Sequence, residues 1–119
     1  MKKLIVMIAA MLMLSCGNNL KEIELSSLES KDGVFYEKGV EEPFTGKVTA
    51  KYPGWKKMME SYWKNGKQDG KQKQYYEDGK IKIEGTFKNG KADGVIKVYD
   101  TSGKVILQEE WKDGERVGK

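Results

Sequence analysis

The chain has 119 residues, with 22 Lys+Arg against 18 Asp+Glu, one Cys and no His. That inventory excludes His/Cys metal sites, Ser–His–Asp catalysis and an internal disulfide. Charged residues make up 34% and hydrophobic residues 38% of the chain, enough for one domain with a thin core.

At the N-terminus, Lys2 and Lys3 precede an uncharged apolar run from Leu4 to Leu14. Such a run is too short for a hydrocarbon core of about 30 Å, which needs about 20 helical residues. It fits the apolar region of an export signal. Ser15 then precedes Cys16, the single cysteine. This arrangement resembles the lipobox of bacterial lipoproteins, although Met13 and Leu14 depart from its commonest form. The resemblance implies cleavage before Cys16, a diacylglyceryl group on its thiol and a lipid-anchored place in the bacterial cell envelope. Gly17, where an Asp would favour inner-membrane retention, points to the outer membrane. Residues 1–15 are therefore expected to be a signal peptide, and residues 16–31 an acylated Cys and polar tether with a weak strand around Ile23 and Leu25. Residues 32–45 are read as an N-terminal strand or partial repeat.

From residue 46 the chain repeats. Gly46, Gly70, Gly94 and Gly118 recur every 24 residues, as do Gly66, Gly90 and Gly114 and the aromatics Trp63, Phe87 and Trp111. Met59, Ile83 and Leu107 add an apolar column at the same step, while a third glycine series, Gly54, Gly79 and Gly103, slips by one residue in its first member. Three units follow, 46–69, 70–93 and 94–117, close to the minimum for a stable stack. Within each unit apolar and polar residues alternate, as Ile81, Ile83 and Phe87 do with Lys82, Glu84 and Lys88, which predicts strands with one covered face. Asn65-Gly66, Asp78-Gly79, Asn89-Gly90, Ser102-Gly103 and Asp113-Gly114 supply tight turns between them. The fold class predicted is all-β: an elongated, twisted antiparallel meander of hairpins. The aromatic and apolar columns are expected to cover the turn glycines and to pack along one face.

Tyr-x-x-x-Gly-Lys followed by an aromatic, Lys, Asn or Asp and Gly resembles the MORN repeat in its bacterial variant. The stretches Pro43-Phe44-Thr45-Gly46-Lys47 and Asp32-Gly33-Val34-Phe35-Tyr36 are similar to those of the bacterial group labelled YwqK-family antitoxins. The resemblance implies a non-enzymatic β-repeat module, and the group's label alone suggests an antitoxin or immunity-like neutralising partner. The first unit departs from the pattern, with Pro53-Gly54 at its turn and Lys57 where later units carry Ile81 and Val105.

Charge divides along the chain: residues 17–45 carry net −4 and residues 46–119 net +6. The basic part solvates a thin sheet and blunts its edges, and it also offers weak contact to anionic lipid or to an acidic protein. Gly85 to Ala92 resembles a phosphate-binding loop, but Ala92 stands in place of the magnesium-holding hydroxyl and the context is strand–turn rather than strand–helix. Asp69, Asp78, Asp93 and Asp113 lack the clustering of a calcium loop and are read as turn residues. No catalytic residue, metal or cofactor is expected, and no nucleic acid. The expected role is protein interaction or assembly on the sheet, with a protein partner. Tyr75, Tyr76, Lys73 and Lys82 form the candidate contact surface, because adjacent Tyr75 and Tyr76 point to opposite faces of one strand.

Overall fold

The computed structural model describes residues 20–118. The expected signal peptide, Cys16 with its lipidation and the first residues of the tether lie outside the described residues.

The tight turns organise the structure. At Asn65-Gly66, Asn89-Gly90 and Asp113-Gly114 both residues have positive φ, +51/+81, +53/+85 and +51/+83. This is the two-residue hairpin geometry that matches the twist of the flanking strands. The hairpins assemble from strands β1 (Glu22–Glu24), β2 (Leu28–Lys31), β3 (Val34–Glu37), β4 (Gly46–Lys51), β5 (Lys57–Lys64) and β6 (Lys67–Tyr75). They continue with β7 (Ile81–Lys88), β8 (Lys91–Ala92), β9 (Gly94–Tyr99), β10 (Val105–Lys112) and β11 (Glu115–Val117). One open sheet runs in the order β1-β4-β5-β6-β7-β9-β10-β11, with β8 alongside β7, and it is antiparallel from β4 onward. The radius of gyration is 16.3 Å, against about 13 Å for a compact domain of similar length. The molecule is an elongated all-β meander.

The 24-residue step is written into the backbone. Gly66, Gly90 and Gly114 donate their N–H to the carbonyls of Phe44, Gln68 and Ala92, each at 2.8 Å. At the opposite ends of the hairpins, Tyr52, Tyr76 and Asp100 donate to Lys56, Lys80 and Lys104 at 2.7–2.8 Å. Neighbouring units thus meet through equivalent bonds, as a one-dimensional stack requires.

The expected tether does not extend to residue 31. Glu22–Glu24 joins the main sheet as β1, parallel to β4, with Ile23 beside Val48. Leu25 lies in a short 3₁₀ turn, Leu25–Ser27, and β2 pairs with β3 through the Asp32-Gly33 turn in a separate two-stranded sheet. The physical reason is burial: Ile23 (8% exposed), Phe44 (4%) and Val48 (0%) form the core, with Leu28 and Trp63 packed on it. The Phe35 ring lies 4.7 Å from that of Trp63, and Phe35 N–H donates to Gly66. The β2–β3 hairpin is therefore a lid over one end of the sheet. Residues 32–45 supply the β3 strand of this lid and its return to the main sheet.

Candidate binding surface

Strand register places Gly46 opposite Trp63, Gly70 opposite Phe87 and Gly94 opposite Trp111. Each aromatic thus faces a residue without a side chain on the preceding strand, on the face that also bears Met59, Ile83 and Leu107. Under the lid, Trp63 donates its indole N–H to the buried Ser61 hydroxyl at 2.9 Å. Two units on, Trp111 donates to the Glu109 carboxylate at 3.2 Å. The aromatics do not cover the glycines of the tight turns. A side chain on Gly66 would meet Val34 and Pro43, one on Gly90 the Lys67 stem, and one on Gly114 the Lys91 stem. Lysine methylenes serve as the apolar cover there, with the ammonium group left toward water. The apolar column also fades along the array: Met59 and Ile83 are half-buried, whereas Leu107 is 47% exposed.

The opposite face is polar and bonded between units. Tyr75 donates its hydroxyl to Glu60 Oε2 at 3.1 Å, and Tyr99 donates to Glu84 Oε2 at 2.6 Å. Along the hairpin tips, Tyr52 donates to the Tyr75 carbonyl at 2.9 Å and Tyr76 to the Tyr99 carbonyl at 2.7 Å. Both donor and acceptor positions repeat at the 24-residue step. Burial would raise the Glu60 carboxyl, but hydrogen bonds from Lys57, Tyr75 and Lys47 outweigh it and hold the group below its ordinary value. Burial and the bond to Glu60 push the Tyr75 phenol up. For Tyr99 the bond to Glu84 is the main cause of the same shift.

These bonds engage the tyrosines of the expected contact surface. Tyr75 and Tyr76 are half-buried and use their hydroxyls inside the array. Lys82 lies with its ammonium 5.8 Å from the Tyr76 ring centre. Lys73 instead lines an open trough of about 240 Å³ with Lys71, Lys97, Glu84, Thr86 and Val95. Among the described residues none of those three lysines forms a salt bridge. In the preceding unit the equivalent carboxylate, Glu60, is already held by Lys47 at 3.3 Å and Lys57 at 3.0 Å. The trough is thus a cationic hollow on the face of the sheet opposite the aromatic column. Glu60, Glu84 and the Tyr52/Tyr76 and Tyr75/Tyr99 pairs are the bonded positions that the glycine and aromatic ladders overlook. Their own spacing, in each case 24, is the signal that finds them.

Residues 68–89 and 92–113 match the MORN repeat variant family. These two segments are similar to MORN repeats. The matched MORN segments hold most of β6 and β7 and, after the second tight turn, β9 and β10. The trough lies between them, so the candidate surface is built from the two matched segments. Comparison with curated proteins and with solved structures found no match.

Proposed function

We propose that this chain is a non-enzymatic bacterial envelope lipoprotein, held by an acylated Cys16, that presents its repeat sheet to an acidic protein partner. The observation that carries the reading is the Lys71–Lys73–Lys97 trough, cationic, concave and without ion pairs among the described residues. The aromatic face, on the other side of the sheet, is occupied at one end by the lid. MORN repeats commonly serve as interaction modules without catalysis, in keeping with this role. A partner with a carboxylate-rich ridge would gain complementary potential and an increased association rate.

The test has two independent arms. Metabolic labelling with a palmitate analogue is expected to mark the wild-type chain and not Cys16→Ser, which reads the anchor. A photo-crosslinking amino acid at Lys73 or Lys97 is expected to trap one protein species, while the same group at Lys64, outside the trough, traps none. Equal trapping at all positions would remove the docking surface without touching the anchor.

A further inference from the structure

The tryptophans of the aromatic column hold one pose. Trp63 donates its indole N–H to the Ser61 hydroxyl at 2.9 Å and Trp111 to the Glu109 carboxylate at 3.2 Å. In both cases the acceptor stands two residues back, on the same strand and the same face. That bond lays the indole along its strand, with one ring face toward the sheet and the other outward. At Trp63 the lid takes the outward side, with the Phe35 ring 4.7 Å away and tilted by 56°. This is the one aromatic pair among the described residues. Phe87 and Trp111, both half-buried, carry the column on without such a cover.

Register fixes the spacing of the two open rings. Phe87 on β7 and Trp111 on β10 are two strands apart, about 10 Å. On the segment between them Ala92 stands opposite Phe87 and Gly94 opposite Trp111, so nothing taller than a methyl group separates the rings. Their surroundings differ from those of Trp63, which packs on Ile23, Phe44 and Val48. Gly70, opposite Phe87 on its other side, is flanked by Gln68 and Gln72 on the same face. Trp111 has Arg116 opposite it and Glu109 at its N–H, and those two pair with each other at 3.6 Å. The strip is therefore aromatic, edged by hydrogen-bonding groups and, unlike the trough, without excess charge.

We propose that Phe87 and Trp111 form a two-ring platform for a β-linked glycan chain of the chitin type, laid across the strands. The axial C–H groups of such a sugar, slightly positive, rest on the negative face of an aromatic ring. Its hydroxyl and amide groups then reach the glutamines on one side and the Glu109–Arg116 pair on the other. In this kind of chain successive sugars are flipped by half a turn, so every second one offers the same face. That repeat is close to the two-strand spacing of about 10 Å, and Ala92 and Gly94 leave room for the sugar between. An apolar protein segment would find at these rings none of the core that seats Phe35 on Trp63. The row ends at the lid, because Phe35 already holds the place a further sugar would take. The platform lies on the other side of the sheet from the trough and stands independently of the acidic partner.

The experiment titrates the isotope-labelled full chain with chitotetraose, with chitobiose and with α-linked maltotetraose, and follows the indole N–H resonances of Trp55, Trp63 and Trp111. Chitotetraose is expected to shift the Trp111 signal and to leave Trp63, under the lid, and Trp55, off the column, in place. It is expected to bind roughly fivefold tighter than chitobiose, which reaches one ring and not two. Phe87→Leu should bring the tetramer down to the affinity of the dimer while the dimer's own affinity holds, which a merely structural role for Phe87 would not do. Phe87→Tyr, which keeps a ring, should retain the difference. Equal responses to chitotetraose and maltotetraose, or a tetramer no tighter than the dimer, overturn the proposal. So does a Trp111 signal that ignores sugar and moves with protein concentration, which would assign the open rings to a second copy of the chain.

Discussion

Glu60 draws together two ammonium groups and a phenol: Lys57 at 3.0 Å, Lys47 at 3.3 Å and Tyr75 at 3.1 Å. The residue is 9% exposed, so removing its charge leaves partners oriented toward a weaker acceptor. Glu60→Gln is expected to destabilise the fold at pH 7 by roughly 1–2 kcal/mol, read by denaturant unfolding. The carboxyl lies below its ordinary 4.5 in the folded chain, so the unfolded chain binds the proton more tightly. The stabilisation is therefore complete above that value and is lost as pH falls through the lower folded one. Wild type should lose melting temperature across that interval more steeply than Glu60→Gln; parallel curves would mean the carboxylate is not paired as described. Glycines are graded on the same scale. Gly66→Ala and Gly79→Ala both place a side chain at positive φ, +81 and +94. Only the former drives it into Val34 and within 3.0 Å of the Phe35 carbonyl. The expected losses are about 1 kcal/mol at Gly79 and roughly 2–4 kcal/mol at Gly66, where overpacking adds to the backbone cost.

At the scale of elements, the lid decides what an aromatic is worth. Trp63 packs at a tilt against Phe35 and touches the Ile23–Phe44–Val48 core, whereas Trp111 lies on β10, most of which is exposed. Trp63→Ala is expected to cost about 3 kcal/mol and Trp111→Ala about 1–2 kcal/mol, and similar values would show that the lid adds no packing. This contrast also marks how far the sequence could be read. The tight turns were legible because Asn-Gly and Asp-Gly have few backbone alternatives, and the strands because Ile81, Ile83 and Phe87 alternate with charge. The entry strand was legible only as a weak strand around Ile23: Glu22-Ile23-Glu24 offers one apolar residue, and its parallel pairing to β4 comes from a distant segment that local pattern does not encode. Tyr75 and Tyr76 could be assigned to opposite faces, but their hydroxyl acceptors lie 15 and 23 residues away. The candidate site was legible in part. Lys73 does line the trough, while Lys71 and Lys97 join it only once register sets neighbouring strands side by side.

At the scale of the whole molecule, packing is polarised along the stack. The buried hydrophobic residues Ile23, Phe44 and Val48 lie at the lidded end. Val105, Ile106 and Leu107, at the other, are 41–61% exposed. A sheet whose units touch only their neighbours opens from its weakest end, since opening one hairpin there breaks contacts with one unit and not with the whole. Hydrogen exchange is therefore expected to show protection falling in order from β4 and β5, through β6 and β7, to β10 and β11. Trp111→Gly should accelerate exchange in β10 and β11 and leave β4 and β5 near their wild-type protection. The same substitution at Trp63 removes the ring that joins sheet to lid, so it should raise exchange across the lid, β4 and β5 together. Uniform acceleration from Trp111→Gly would mean that the array folds as a single cooperative block, and nearest-neighbour stacking would then not describe it. A graded response would leave the trough, which lies midway along the stack, on strands more secure than those of the far end.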